Sequence, residues 1–506
     1  MITRRPHPLH SSLKILCKIV LFASIFVADA DISKAYAESN ATLKLPAPFD
    51  AFRRAGIPLA DVSLYAVPVE QGEPVIAHNA ESPFILASTA KLLTAMAALD
   101  ILGPSYRWRT TAFLNGQLVE GVLTGDLLIV GGGDPMLSSD KLVSWFQVMQ
   151  KRGLKQIVGN IVLDRRQFAF AEGDHVNTPV PVWHNPHHAQ PNALVIDEGV
   201  VKVNIAPGPQ GKTILLEPAI EGIDIVDQTK TIARCSAVRK PIEIEFEESS
   251  QNHRLLVSGE WAQDCPPYKL ATSPWDQTEF SRAAILAAWI KSGGKLSGAV
   301  VEAPPPVKPV KSKRPMKAAK TPKPRKPFSA IDSKPLVESV RETNKWSNNL
   351  ISRHLLLSLS KDFPREVATL QNAKQVLAQW LLQKGITAED VTLENGSGLS
   401  RNERAKARTF AALLKEAWSA KYHKDFKDSF PIVGVDGTMG SRLKRSLATG
   451  KALIKTGTLN DVRSVAGYVT TKDNKTYAMV AIVNHPHASR AVPALDFFIE
   501  WLQATP

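Results

Sequence analysis

Residues 92–99 read Leu-Leu-Thr-Ala-Met-Ala-Ala-Leu and offer no polar face. A helix of that composition is buried on every side, so it must run through the middle of a core. The run opens with Ser88-Thr89-Ala90-Lys91. Helical residues three apart share a face, which lets the Ser88 hydroxyl meet the Lys91 amine. A serine is a poor nucleophile until a neighbouring base takes its proton. A lysine whose pKa is depressed by burial and by nearby cations can be that base. The same Ser-x-x-Lys spacing recurs at Ser138/Lys141 and Ser441/Lys444, so the tetrad alone selects nothing.

At 506 residues the chain exceeds what one hydrophobic core holds, and two or three domains are expected. A formal charge of +14 would suggest nucleic acid or a membrane surface if it were spread over the fold. It is concentrated instead: residues 304–327 hold nine Lys/Arg, eight prolines and no acid, and without those nine the rest carries +5. No core forms from that composition, so 304–330 reads as a Pro/Lys-rich, solvated loop. Either it makes an electrostatic contact with anionic envelope material or it is simply solvated. A nucleic-acid partner is not expected.

Arg4, Arg5 and Lys14 flank the apolar run 19–28, and Ala35-Tyr36-Ala37 offers a small-x-small cleavage site, with Ala28-Asp29-Ala30 competing. Residues 1–37 therefore read as a secretory signal. Its apolar run of about ten residues is too short to span a bilayer, which takes about 20; an uncleaved anchor is the alternative. Cys17 lies inside it, without the small-residue context of a lipid-attachment site. The remaining cysteines are Cys235 and Cys265. In an exported protein an even pair suggests one disulfide, worth about 3 kcal/mol for a loop of that length, against two free buried thiols.

After the signal, residues 62–67 and 74–78 read as two strands around a polar turn, followed by the Ser88 helix, which stops at Gly103-Pro104. Leu127-Leu128-Ile129-Val130 is strand-like and runs into Gly131-Gly132-Gly133-Asp134-Pro135, which no Gly-Lys-Ser/Thr follows, so a phosphate loop is discarded. Residues 138–153 form an amphipathic helix, 195–260 a mostly β unit, and 281–292 a further helix. From Leu336 one long helical stretch carries Trp346-Ser347-Asn348-Asn349-Leu350 and continues through Leu357. Leu453 to Thr458 reads as a strand, 464–470 and 476–484 as a hairpin, and 494–502 as a closing amphipathic helix.

Three separated pieces then fit one site: Ser88-x-x-Lys91, Ser347-x-Asn349 and Lys455-Thr456-Gly457. The set resembles the serine acyl-transfer signature of penicillin-binding proteins and β-lactamases. Each piece has a task. Ser88 attacks a carbonyl and Lys91 takes its proton, while Ser347 relays a proton towards the leaving amine. Asn349 donates to a substrate carbonyl and helps hold Lys91. Lys455 places positive charge near a substrate carboxylate and depresses the Lys91 pKa, and Thr456 and Thr458 donate hydroxyls to that carboxylate. The backbone N–H groups of Ser88 and Thr458 would form the oxyanion hole. Ser138, Ser441, Ser250-Gln251-Asn252 and Lys291-Ser292-Gly293 match single pieces but fail on context.

The chain resembles the D-alanyl-D-alanine carboxypeptidase/endopeptidase family, peptidase family S13, the class C low-molecular-mass penicillin-binding proteins. Supporting text includes Gly125-Asp126-Leu127 before the glycine run, Asn344-Lys345-Trp346-Ser347-Asn348-Asn349-Leu350, Asn395-Gly396-Ser397-Gly398-Leu399-Ser400-Arg401, Val435-Asp436-Gly437-Thr438 and Lys455-Thr456-Gly457-Thr458-Leu459. The gap of 259 positions from Ser88 to Ser347 leaves the room in which that family inserts accessory domains.

The resemblance implies an α/β (α+β) fold with a β-lactamase/transpeptidase-like catalytic domain at 38–104 and 281–506, an antiparallel sheet flanked by helices. It also implies an inserted accessory domain at 105–194 and 261–280, with a nested β domain at 195–260. Periplasmic action on peptidoglycan stem peptides and cross-links follows, without a cofactor or metal and with covalent inhibition by β-lactam antibiotics. Asp134 would be a specificity residue for the diamino-acid side chain of the stem peptide. The Pro/Lys tract departs from the family pattern. Rival readings are a β-lactamase, a non-hydrolytic penicillin-binding sensor or scaffold, and a zinc peptidase built on His184, His187 and His188.

Overall fold

A computed structural model describes residues 48–171, 173–174, 189–208, 211–219, 223–248, 253–272, 277–304 and 326–505. The signal segment with Cys17, the His184, His187 and His188 cluster, Ser250-Gln251-Asn252 and nearly all of the Pro/Lys tract lie outside the described residues. Ala51–Pro506 forms one compact unit, and of Met1–Asp50 only residues 48–50 are described.

The central sheet joins the two ends of that unit. Strands β1 (Val62–Pro68) and β2 (Ile76–His78) come from its start, and β3 (Ala452–Leu459), β4 (Val462–Thr470) and β5 (Thr476–Asn484) from its end. Their order is β2-β1-β5-β4-β3, with every pair antiparallel. Residues 477–483 are all buried, so β5 is apolar without alternation and must be covered on both faces. The helices Ala407–Ser419 and Val492–Ala504 pack against β5 and β4 respectively.

Helix α1 (Ala90–Ile101) is buried from Ala90 through Leu99, as its composition requires. It packs against α2 (Leu336–Trp346) and α3 (Asn349–Ser358). The single helix expected from Leu336 to Leu357 is in fact two. Ser347 takes a left-handed φ of 61° and ends α2. Asn348 then caps α3 by accepting the Ile351 N–H at 2.9 Å, so a side chain competes with helix continuation and wins.

A seven-stranded sheet separates the motif-bearing segments. Arg109–Val119 and Val122–Val130 pair antiparallel from Thr111 opposite Val130 to Val119 opposite Val122, and Gln156–Ile157 and Ile161–Asp164 add in parallel. The expected catalytic boundary at 281 does not coincide with this pairing. Helix Gln277–Lys291 packs on Ser139–Lys151, with Trp289 edge-on to Phe146 at 5.4 Å. Strands Lys295–Leu296, Val300–Glu302 and Ser329–Asp332 also join this sheet. Strands of two to four residues carry too little pattern to reveal which sheet they extend. The nested β unit overruns its expected end in the same way. Tyr268–Thr272 pairs with Val201–Gly208 beside Gly211–Glu217. A second small sheet holds Ile223–Asp227, Glu243–Glu248 and His253–Ser258. The core beneath is small (Val203, Ile205, Leu255, Val257, Trp261), and a Cys235–Cys265 disulfide closes the unit over a separation of 30 residues.

Candidate active site

Ser88 lies in a single 3-10 turn, Ala87–Thr89, that leads into α1. Ala87 precedes it with a left-handed φ of 48°, a conformation an L-residue holds only when its surroundings impose it. Two glycines distant in sequence approach this turn closely. A Cβ on Gly398 would lie 1.9 Å from the Ala87 carbonyl oxygen, and one on Gly457 would lie 3.0 Å from the Ser88 nitrogen. Only bare backbone lets the 394–398 loop and β3 close on the nucleophile turn. Ser88 remains partly exposed, while Lys91 is fully buried.

Lys91 Nζ donates to Ser88 Oγ at 2.9 Å, to Asn349 Oδ1 at 2.6 Å and to the Ser397 carbonyl. Burial pulls the amine down to about 7, and the negative charge of Glu403 opposes that fall. Asn349, the first residue of α3, is therefore held against the lysine by the same break that ends α2.

On the other side, Lys455 Nζ donates to Ser347 Oγ at 2.9 Å and to the Thr456 carbonyl at 2.7 Å. Lys455 is fully buried as well, and burial, reinforced by the neighbouring Lys91, lowers its pKa well below the ordinary value. Thr456 donates its hydroxyl to Thr438 Oγ1 at 3.1 Å, and an ion pair from Lys345 to Asp436 fastens that neighbouring turn to α2. Thr458 is exposed one residue beyond Gly457 on β3. A cavity of about 1150 Å³ is lined by Trp346, Asn348 and Asn349 and also by Glu198 and Leu215.

The structure thus brings Ser88, Lys91, Ser347, Asn349, Lys455, Thr456 and Gly457 together from positions spread over the chain. Asp134 is placed differently. The residue is 4% exposed; its carboxylate accepts the Met136 N–H at 2.9 Å and pairs with Lys141 at 3.6 Å, and burial raises its pKa. Ser138 is a helix cap that accepts the Lys141 N–H, which explains its Ser-x-x-Lys spacing without chemistry. Ser441 and Lys444 are exposed in a turn, and Lys291 ends a helix beside Asp140. Two contributors carry no signal in the sequence: the Ser397 carbonyl, because it is main chain, and Glu403, because Arg401-Asn402-Glu403-Arg404 reads as solvated charge.

A buried amine on a serine, a second buried lysine on a second serine, and a β-strand passing the nucleophile form a site for acyl transfer through a serine ester. Residues 55–500 match the D-Ala-D-Ala carboxypeptidase 3 (S13) family, and the chain belongs to it. It is 25% identical over 434 residues to the D-alanyl-D-alanine carboxypeptidase DacB of Haemophilus influenzae, covering 84% of this chain and 85% of that protein. Crystal structures of penicillin binding protein 4 (dacB) from the same organism have a similar fold. The first superposes with a TM-score of 0.66 at 22% identity, covering 90% of this chain and all of that one. A second, complexed with a novel β-lactam, gives 0.65 at 24% identity over 90% and 98% of the two chains.

Proposed function

We propose that this chain, a serine-type D-alanyl-D-alanine carboxypeptidase by family, forms its acyl-enzyme on Ser88 and acts on peptidoglycan stem peptides. The observation that carries the reading is the 2.9 Å contact of Lys91 Nζ with Ser88 Oγ, made by an amine that burial brings to about 7. Neutral Lys91 takes the Ser88 proton as Oγ bonds to the carbonyl carbon of the penultimate D-alanine. The developing oxyanion faces the N–H groups of Ser88 and Thr458. Collapse breaks the C–N bond, and Ser347 passes its proton to the departing amine of the terminal D-alanine while the proton that Lys91 took from Ser88 replaces it, which leaves Lys91 neutral for the second half of the cycle. Lys455, Thr456 and Thr458 hold that residue's carboxylate, and the Asn349 amide donates to the acyl portion. Water then hydrolyses the ester. Endopeptidase cleavage of a cross-link uses the same steps with a larger leaving group. A β-lactam acylates Ser88 with its leaving group still tethered, a reading supported by the β-lactam complex of the Haemophilus protein.

Asp134 serves as a specificity residue for the diamino-acid ammonium, provided that Lys141 yields its place on the carboxylate. Residues 1–37 export the chain to the periplasm, and the basic charge of 304–327 contacts anionic envelope polymer there. That contact predicts co-sedimentation with purified sacculi that is lost at high salt or when the tract is excised; salt-independent sedimentation contradicts it.

The test of activity is D-alanine release from a pentapeptide, run beside cleavage of a cross-linked dimer, with wild type and Ser88→Ala. Release should vanish in Ser88→Ala and be indifferent to EDTA. Release that survives the substitution overturns the role of Ser88, and loss with EDTA revives the zinc reading.

A further inference from the structure

We infer that Glu403 is a positioning residue for acyl transfer: its buried carboxylate gathers the 394–398 loop so that the Ser397 carbonyl lies on Lys91, and it sets the negative field in which Lys91 works. The inference rests on Lys91 acting as the base.

Glu403 is fully buried. Its Oε1 accepts the backbone N–H groups of Glu394 at 3.0 Å, Asn395 at 2.9 Å and Gly396 at 2.6 Å, and its Oε2 accepts that of Gly398 at 2.5 Å. Successive N–H groups of one loop therefore converge on a single carboxylate, as they would on a bound anion. Every one of these partners is a donor, which a carboxylate suits and a protonated oxygen does not. Burial pushes the Glu403 carboxyl up, and the four N–H groups act against it.

The gathered loop is the one that reaches the reaction centre. Ser397 gives its carbonyl to Lys91, and Gly398 lies against the Ala87 backbone. The Gly396 carbonyl accepts the hydroxyls of Thr94 on α1 and Ser352 on α3, at 2.7 and 2.6 Å. The main chain of Glu403 also participates, since its carbonyl accepts the Leu86 N–H at 3.0 Å just before the nucleophile turn. One residue thus braces both sides of Ser88.

The charges around Lys91 make the effect readable. Lys455 on β3 is a buried cation, and its pKa is lowered in part by Lys91. From α3, Arg353 is buried and feels Glu403, while His354 is buried and brought down to about 4 by desolvation. Among the described residues, the charge that acts on the Lys91 pKa is that of Glu403, which raises it against burial. Removing that charge must let Lys91 fall further, and a neutral base then persists to lower pH.

The experiment is the pH dependence of the second-order acylation rate with a penicillin, for wild type, Glu403→Gln and Glu403→Asp, with the adduct site mapped in each. Glu403→Gln keeps an oxygen for three N–H groups but turns an NH₂ towards Gly398. It should acylate about tenfold or more slowly, because small misplacements of a base are costly, and its acid limb should move down by roughly one pH unit. Glu403→Asp keeps the charge but shortens the arm, so its rate should fall while its limb stays near that of wild type. A purely structural role predicts slower acylation with the limb unmoved in Glu403→Gln, and that result overturns the inference, as does a wild-type rate in both variants. If Glu403→Gln does not fold, Thr94→Val loosens the same loop without touching charge. A tenfold slower rate at an unmoved limb there supports the positioning role, and an unchanged rate overturns it. Failure to label Ser88 in wild type sinks the acyl-enzyme reading itself, whereas labelling of Ser88 with identical profiles sinks only the role of Glu403.

Discussion

Every oxygen bonded to Lys91 is formally neutral: a hydroxyl, an amide oxygen and a main-chain carbonyl. Desolvation therefore outweighs the more distant Glu403 charge, and the amine settles near 7 instead of its ordinary 10.5. Below that value Lys91 is protonated and cannot take the Ser88 proton. The acylation rate should accordingly rise about tenfold per pH unit up to roughly 7 and then level off. A profile flat from pH 5 to 8 contradicts the base assignment. Lys91→Ala should slow acylation by about 10²–10⁴, the usual range for losing a positioned base, with Ser88 still present. At this scale the sequence was informative wherever a side chain does the work. Ser88, Lys91, Ser347, Asn349 and Lys455 are named by type and spacing. The Ser397 carbonyl is not, since any residue carries one, and a buried Glu403 cannot be told from a surface glutamate without the loop that surrounds it.

Among the elements, α1 was legible because its lack of a polar face admits only burial, and β5 because its run of β-branched and small apolar residues is long. The break between α2 and α3 was not. Helical periodicity persists through Ser347, and only the Asn348 cap and the left-handed Ser347 reveal that the chain turns. That turn sets Ser347 and Asn349 on different lysines, which a continuous helix would not do in this way. Gly398→Ala tests how tightly the elements close. At φ +84° and 1.9 Å from the Ala87 oxygen, the added methyl forces the loop off the nucleophile turn. Acylation should fall at least about tenfold, and stability by roughly 1–3 kcal/mol; a wild-type rate would mean the turn does not need the loop. Replacing both Cys235 and Cys265 by Ser should cost about 3 kcal/mol of unfolding free energy and leave the acylation rate unchanged, because the bond closes the nested unit rather than the site. Chemical denaturation together with penicillin kinetics reads both quantities.

At the level of the molecule, one sheet takes its strands from residues 62–78 and 452–484, and the segment between them builds another. The motif order made the first point readable, since Ser88 and Lys455 can meet only if the two ends come together. The second was hidden in strands of two to four residues, so Lys295–Leu296, Val300–Glu302 and Ser329–Asp332, expected in the catalytic part, pair with the inserted sheet instead. That pairing fixes both flanks of the Pro/Lys tract. Val300–Glu302 and Ser329–Asp332 lie on one sheet with the strands Ile161–Asp164, Val122–Val130 and Arg109–Val119 between them. Four strand spacings amount to about 19 Å, which roughly ten flexible residues can bridge. Replacing 305–325 by a ten-residue Gly/Ser linker should keep melting temperature and acylation rate within error, and a loss of either would give the tract a part in the fold. The most direct measurement of the central assignment is mass spectrometry of wild type and Ser88→Ala after incubation with penicillin. A single adduct on the peptide containing Ser88, absent from Ser88→Ala, is the expected result. No adduct on wild type, or one that survives the substitution, contradicts it.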